Sequence, residues 1–417
     1  MESPATSLVI VSRERPESLL WCLAAVDGLD HDNFEVIVVA CPAGTAAVER
    51  AGLASRVRLV RFDEANISAA RNLGIASAAG DVVAFLDDDA APEPTWLRRL
   101  VAPFKTAEVA AAGGFVRGRN GISFQWRARQ VDGCAREEPL NIGETQIFEQ
   151  ASGRAIKTEG TNMAFRRDVL AAVGGFDPQF RFYLDETDLN LRLAAEGHGA
   201  ALVPGAEVHH AYAASARRKA DRAVTDLSEI GASIAYFLRK HCHGDADAGR
   251  LEVLMREQQL RVMDQVRRGL LQRRDVGPLM KGLNAGVEEG RARKSAELTP
   301  IAVADKGGFL RFVPRRHGGA VLAGRIWQAA RLRAEARQRA EAGETVSLFL
   351  FGPSPRKHHV RFDAAGYWEQ NGGLFGRAER TEPVFRFTSF AARLSRESAR
   401  VAGQRGLKTP EHTLTPH

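Results

Sequence analysis

Three consecutive carboxylates, Asp87-Asp88-Asp89, follow directly on an apolar, β-rich run, Val82–Leu86. Charges of one sign packed this closely repel unless a cation neutralises them, and alternate side chains on a tight turn can converge on one ion. Asp87 and Asp89 are the natural pair of ligands. Carboxylate oxygens suit a hard divalent ion, Mn2+ or Mg2+, whose octahedron substrate phosphates would complete. A second acidic run, Asp185-Glu186-Thr187-Asp188, opens a stretch with Leu189 and Leu193 at helical spacing and Gly197 at its end. Acids there complement the helix dipole whatever else they do. A histidine pair, His209-His210, follows the strand signal Ala201–Val203 and a Pro204-Gly205 turn.

The surrounding elements decide whether these groups can meet. Ser7–Val11 is β-rich, and Arg15–Val26 repeats Leu19, Leu20, Leu23 and Val26 at helical spacing, with Pro16 in the first turn. Phe34–Ala40 and Val57–Phe62 read as strands, and Ile67–Ala79 is an Ala-rich helix leading into Val82–Leu86. This alternation predicts an α/β fold, a mostly parallel sheet covered by helices on both faces. Ligands collect at the carboxyl ends of such strands, where the Asp triplet falls. Thr95–Phe104 reads as a helix, Val109–Val116 as a strand, Gly118–Thr158 as loop or short hairpins, and Asp168–Val173 as a helix stopped by Gly174-Gly175. Beyond about Ala214 come long Arg-rich amphipathic helices, including Ala223–His241 and Leu251–Leu271, and Thr299-Pro300 looks like a boundary. The remainder predicts a helix at Val321–Ala342, a strand at Val346–Phe351 and an aromatic piece in which Tyr367 and Trp368 read as a small core, with stacking on sugar rings as the alternative.

At 417 residues the chain exceeds one ordinary domain. No apolar stretch approaches the roughly 18 residues of a membrane span, and no basic-then-apolar leader opens the chain, so the expected location is cytoplasmic. Cys22, Cys41, Cys134 and Cys242 show no metal-ligand spacing and read as free thiols of a reducing compartment, and His241-Cys242-His243 as a helix terminus. Residues 1–200 carry a net −7 and the rest +14. That asymmetry points to an anionic partner for the second half, or to a solvated Arg-rich surface. Lys supplies only 9 of the 58 basic residues, as in a GC-rich bacterial genome.

The segments Leu8–Arg15 with Leu19 following, Ala70-Arg71-Asn72-Leu73-Gly74-Ile75, Gly80–Asp89, Gly160–Phe165, Gly174–Asp177 and Asp185–Arg192 occur in a telling order and spacing. Together they resemble the inverting family-2 glycosyltransferases of GT-A fold, over roughly residues 5–240. The resemblance implies that Asp87 and Asp89 hold Mn2+ or Mg2+, with His210 joining them. It implies that Ser12, Arg13, Arg15, Arg71, Asp87 and Asp88 meet the nucleotide donor, and that Gly160, Thr161 and Asn162 border the acceptor. The catalytic acids would be Glu186, Asp185 and Asp188. Glu186 matches the family's general base, but the usual Glu-Asp order is exchanged here, which makes Asp185 a competitor. Ala40-Cys41-Pro42-Ala43-Gly44-Thr45 stands where the family usually has Asp-x-Gly-Ser/Thr. Losing that acid weakens the case for uridine and admits a thymidine or guanosine donor.

The expected organisation is a GT-A nucleotide-sugar-binding catalytic domain at 1–215, a helical Arg-rich region at 216–300 and an α+β extension at 301–417. The expected activity moves a sugar from a nucleotide diphosphate sugar, with inversion, to a glycan or lipid-linked acceptor in surface or exopolysaccharide synthesis. The absence of spanning helices and of a Gln-x-x-Arg-Trp motif favours non-processive transfer. Peripheral contact with anionic membrane through the Arg-rich helices is expected; nucleic acid is not. Competing readings are a silent binding protein for an anionic polymer or membrane, which the intact acids oppose, and a sugar nucleotidyltransferase. The latter would need a Gly-rich loop after the first strand, and Val11–Pro16 has no Gly.

Overall fold

The computed structural model describes residues 3–243, 249–295 and 297–407. The main sheet starts from four parallel strands, β1 (Thr6–Ser12), β2 (Phe34–Ala40), β3 (Arg58–Arg61) and β4 (Val82–Asp87), in the order β3-β2-β1-β4. Every residue of β2 is buried, as a strand covered on both faces requires. Beyond β4 lie β12 (Met163–Arg166), which is antiparallel to it, then β6 (Val109–Arg117), β13 (Gly199–His210) and β10 (Gln146–Phe148). Two short strands attach at the side, β5 (Ala90–Pro92) on β13 and β7 (Phe124–Trp126) on β6.

Strand periodicity sorts the apolar residues into two layers. Leu8, Ile10, Val36, Val38, Ala84 and Leu86 face α1 (Pro16–Val26) and α4 (Trp96–Val101), and α2 (Pro42–Arg50) adds Val48. Val9, Ile37, Val39, Val83 and Phe85 face the other way, against α3 (Ile67–Ser77), α5 (Arg167–Ala172) and α6 (Asp185–Ala195). Gly74 lets α3 lie close on β1, because a Cβ there would strike Val9.

The segment expected as loop or hairpins forms a second small sheet, β11 (Arg154–Ile156)–β8 (Arg129–Asp132)–β9 (Glu137–Pro139). Helices α7 (Ser228–His241), α8 (Arg250–Arg267) and α9 (Arg273–Ala292) follow. Gly231, Gly286 and Gly290 allow α7 and α9 to approach backbone to backbone; a Cβ on any of them would meet the facing main chain. A third sheet has the order β14 (His317–Arg325), β15 (Glu344–Gly352), β17 (Tyr367–Gly373), β16 (His359–Asp363). Its faces are covered by α10 (Ala329–Glu341) and α11 (Phe390–Arg405). Tyr367 and Trp368 are buried, as the small-core reading expected.

Three sequence expectations are corrected. Pro204-Gly205 is not a turn: β13 runs through it as one strand with a shift in register between Val203 and Glu207. The expected helix Val321–Ala342 begins as strand, because Val321–Arg325 pairs in parallel with Ser347–Phe351. Two of the four thiols are not free: Cys134 and Cys242 form a disulfide that ties the β8–β9 turn to the end of α7. Cys22 and Cys41 are free and buried.

The third sheet is docked on the first unit. Trp21 Nε1 donates to Phe362 O at 3.2 Å, and Arg405 meets Glu93 at 2.8 Å with both side chains buried. Phe312 packs on Phe34 in the main core, with ring centroids 5.3 Å apart.

Candidate active site

β4 delivers Asp87 at its carboxyl end, and the chain turns at once through Asp88 and Asp89 into β5. Because β5 pairs with the end of β13, Ala90 lies opposite His210. That pairing brings together groups far apart in sequence: ligand atoms of Asp87, Asp89 and His210 all lie within 4.8 Å of one another. His210 Nε2 is 3.2 Å from Asp89 Oδ1, while its Nδ1 faces Gln125 Oε1 at 3.1 Å. With Gln125 Oε1 accepting at Nδ1, a ring that gives up its Nε2 proton would turn that lone pair toward an ion beside Asp89. Trp126 and Tyr212 pack on the ring.

Asp89 is held by Arg15 at 3.2 Å, Arg218 at 3.1 Å and the Ala213 N–H at 2.8 Å. Burial works against its ionised form, but His210, Arg15 and Arg218 outweigh it and hold its pKa below the carboxylate range. Asp88 is fully buried against Arg15. Burial pushes its carboxyl up to about 7 despite that cation. Two carboxylates and an imidazole on one spot are a donor set that fits a divalent ion.

Arg71, on α3, joins this cluster to the second acidic run. Its guanidinium contacts Asp185, reaches Asp87 at 3.4 Å and donates to Gly160 O at 3.0 Å. A Cβ on Gly160 would come within 2.7 Å of the guanidinium, so glycine there is a condition of the approach. Tyr183 and Leu184, both at positive φ, bend the chain into α6. Asp185, first in that helix, is buried; burial and neighbouring Glu186 push it up to about 7 against Arg71.

Glu186 keeps 15% of its side chain exposed and lies 3.5 Å from Lys157. Burial opposes its charge, but Lys157 overcomes that and lowers its pKa. Lys157 also bonds Thr187 at 3.1 Å and meets Glu137 at 3.2 Å.

Other expected site residues sit elsewhere. Asp188 has no exposed surface and is shared by Arg192 at 2.9 Å, Lys240 at 2.7 Å and His241 at 2.7 Å. Asn162 spends its amide inside the fold, accepting from Trp96 Nε1 at 2.7 Å and donating to Phe115 O and Ala206 O, each at 2.9 Å. Thr161 and Ser12 are buried, and Arg13 turns out to Asp63 and Glu14. Ala40 is buried at the end of β2, beside Cys41, whose Sγ accepts from the Glu14 N–H at 3.2 Å. Gln125 and Lys157 escaped sequence reasoning, since both lie in a stretch without periodicity. Arg218 reaches Asp89 from beyond β13, whereas its neighbour Arg217 packs over Phe182.

Sheet order and site define the class: a GT-A glycosyltransferase fold with a two-carboxylate, one-imidazole cluster at its strand ends. Residues 4–225, more than half the chain, match the family described as Glycosyltransferase like family 2, and the chain belongs to that family. It is 35% identical over 255 residues to the succinoglycan biosynthesis protein ExoM of Rhizobium meliloti, covering 58% of this chain and 73% of that one. It is 34% identical over 113 residues to the glucosyl-dolichyl phosphate glucuronosyltransferase of Haloferax volcanii, covering 27% of this chain and only 34% of the relative. Among solved structures it is similar to GalNAc-T7 with UDP, GalNAc and Mn2+, at a TM-score of 0.44 and 16% identity over 57% of this chain and 48% of that one.

Proposed function

We propose that the protein is a metal-dependent, inverting and non-processive glycosyltransferase. It moves a sugar from a nucleotide diphosphate donor to a glycan or lipid-linked acceptor in surface or exopolysaccharide synthesis. The observation that carries this reading is the connection of two acidic groups through one buried guanidinium, Asp87 on one side of Arg71 and Asp185 on the other. Asp87, Asp89 and His210 would hold a divalent ion, Mn2+ or Mg2+, which would supply neutralising charge for a departing diphosphate. Arg15, Arg218 and Gln125 hold those ligands in place.

Glu186 takes the acceptor's proton. It keeps an open edge and is held ionised by Lys157, whereas Asp185 is spent on Arg71. Asp185 therefore positions Arg71, and Asp188 anchors α6. The polysaccharide and lipid-linked roles in the relatives' names support the acceptor class. No described helix is long and apolar enough to cross a membrane, and we place the protein at the cytoplasmic membrane face by peripheral contact.

The test is release of nucleotide diphosphate from a panel of nucleotide sugars with Mn2+, with and without chelator. Asp89→Ala and His210→Ala should each lose release by about a hundredfold or more and weaken Mn2+ binding. Release indifferent to chelator and to both variants would overturn the metal assignment.

A further inference from the structure

The third sheet ends in a surface that the proposed chemistry does not use. Its parallel strands β14, β15 and β17 finish side by side, and the chain leaving them carries Ile326-Trp327, Pro353–Lys357 and Leu374–Arg377. Residues Val384–Phe387 fold back over this edge: the Arg386 N–H donates to Phe375 O at 2.9 Å, and Phe385 and Phe387 pack on Phe375 at 5.4 and 5.7 Å. Arg325 lies over both Trp327 and Phe390, which joins the two halves of the patch. The outer rings are open to solvent, with Phe387 84%, Trp327 69% and Phe385 54% exposed. Large rings exposed together mark an interaction surface.

Charge selects the partner. Arg325, Arg356, Lys357, Arg377, Arg380 and Arg386 stand at the ends of these strands or on the segments that leave them, and none forms an ion pair among the described residues. The stripe Val253, Leu260 and Met263 on α8 is the rival surface, being apolar and exposed. Most of its cations are paired, however: Arg267 and Arg268 with Asp264 at 2.5 and 3.6 Å and Arg250 with Glu257 at 3.9 Å, which leaves Arg256 and Arg261 without an ion pair among the described residues, against six such cations at the sheet edge. Aromatic rings that reach the acyl boundary beneath free cations fit an anionic bilayer surface.

We propose that the carboxyl edge of the third sheet, led by Trp327, Phe385 and Phe387, is the surface by which this protein docks on anionic lipid. This rests on the peripheral-contact reading above and moves it from the Arg-rich helices to the extension. The edge inserts its rings, and its cations bind the headgroups.

The test is co-sedimentation of the full chain with phosphatidylglycerol-containing vesicles and with pure phosphatidylcholine vesicles, at low and high salt. Three proteins are compared: wild type, Trp327→Ser/Phe385→Ser/Phe387→Ser, and Leu260→Ser/Met263→Ser on α8. Wild type and the α8 variant should bind the anionic vesicles, more weakly at high salt, while the edge variant loses binding by about tenfold or more. Its circular dichroism and release of nucleotide diphosphate with a soluble acceptor should stay unchanged. Equal binding by the edge variant, or loss in the α8 variant alone, would overturn the proposal and leave peripheral contact standing. No binding by wild type would overturn both. A concentration-dependent dimer abolished by the edge substitutions, without vesicle binding, would assign the patch to a second copy instead.

Discussion

The molecule holds two acidic runs of nearly the same composition in opposite settings. Around Asp87–Asp89 the cations come from distant elements, Arg15 from the first strand–helix turn and Arg218 from beyond β13, and they leave Asp87 and His210 beside Asp89 as a ligand set. Around Asp185–Asp188 the helix itself and α7 close over Asp188, while Glu186 keeps an open edge. Each run contains one acid pushed up to about 7, Asp88 and Asp185, and one held well below the carboxylate range, Asp89 and Asp188. Burial works against the charge in all four. What differs is whether enough cation faces the carboxylate, so acid count alone does not separate a ligand from a base or an anchor.

The comparison breaks most directly at Glu186. Glu186→Gln keeps the shape and removes the proton acceptor, so kcat should fall about a thousandfold with little change in donor KM. Asp185→Asn should cost less and should also weaken donor binding, since it frees Arg71 from one partner. If Asp185→Asn abolished turnover while Glu186→Gln spared it, the two roles would be exchanged.

Asp188 sharpens the same contrast through stability. Asp188→Asn leaves Arg192, Lys240 and His241 around a neutral group, and removing one partner from a buried ionic cluster costs about 3–5 kcal/mol. Its folded pKa lies below the ordinary value, so its contribution is present above about pH 4 and lost as pH falls through the folded value. Urea midpoints of wild type and variant should therefore differ at neutral pH and converge in acid. Equal midpoints at pH 7 would return Asp188 to the candidates for chemistry.

Legibility in the sequence followed the same division. Asp87–Asp89 could be read because the triplet stands directly after Val82–Leu86, where strand pattern and charge conflict agree. His210 was identifiable only through the resemblance, because its approach to Asp89 depends on pairing between β13 and β5, more than a hundred residues apart. Lys157 and Gln125 sit near strands of three or four residues, too short to show a period. The Cys134–Cys242 bridge closes a separation of 108 residues, which spacing cannot reveal. β14 reads as helix because a lone Gly324 does not stop the apolar pattern that runs on into an Arg-rich helix, and only its pairing with β15 makes it a strand.

Lys157 gives the smallest and most diagnostic effect. It faces Glu186, Glu159 and Glu137, with Arg129 nearby, and is the leading cation holding Glu186 ionised. A base acts when deprotonated, so activity should rise as pH climbs through the pKa of Glu186. Lys157→Met removes the opposing charge from a buried site, which raises that pKa and should move the acid limb of kcat upward by about 1–2 pH units. Above the new limb the variant should regain most of its rate, because a base of higher pKa is intrinsically stronger. A uniform loss at every pH would mean that Lys157 only supports the fold around β11 and α6. An unmoved limb would mean that the titrating base is not Glu186.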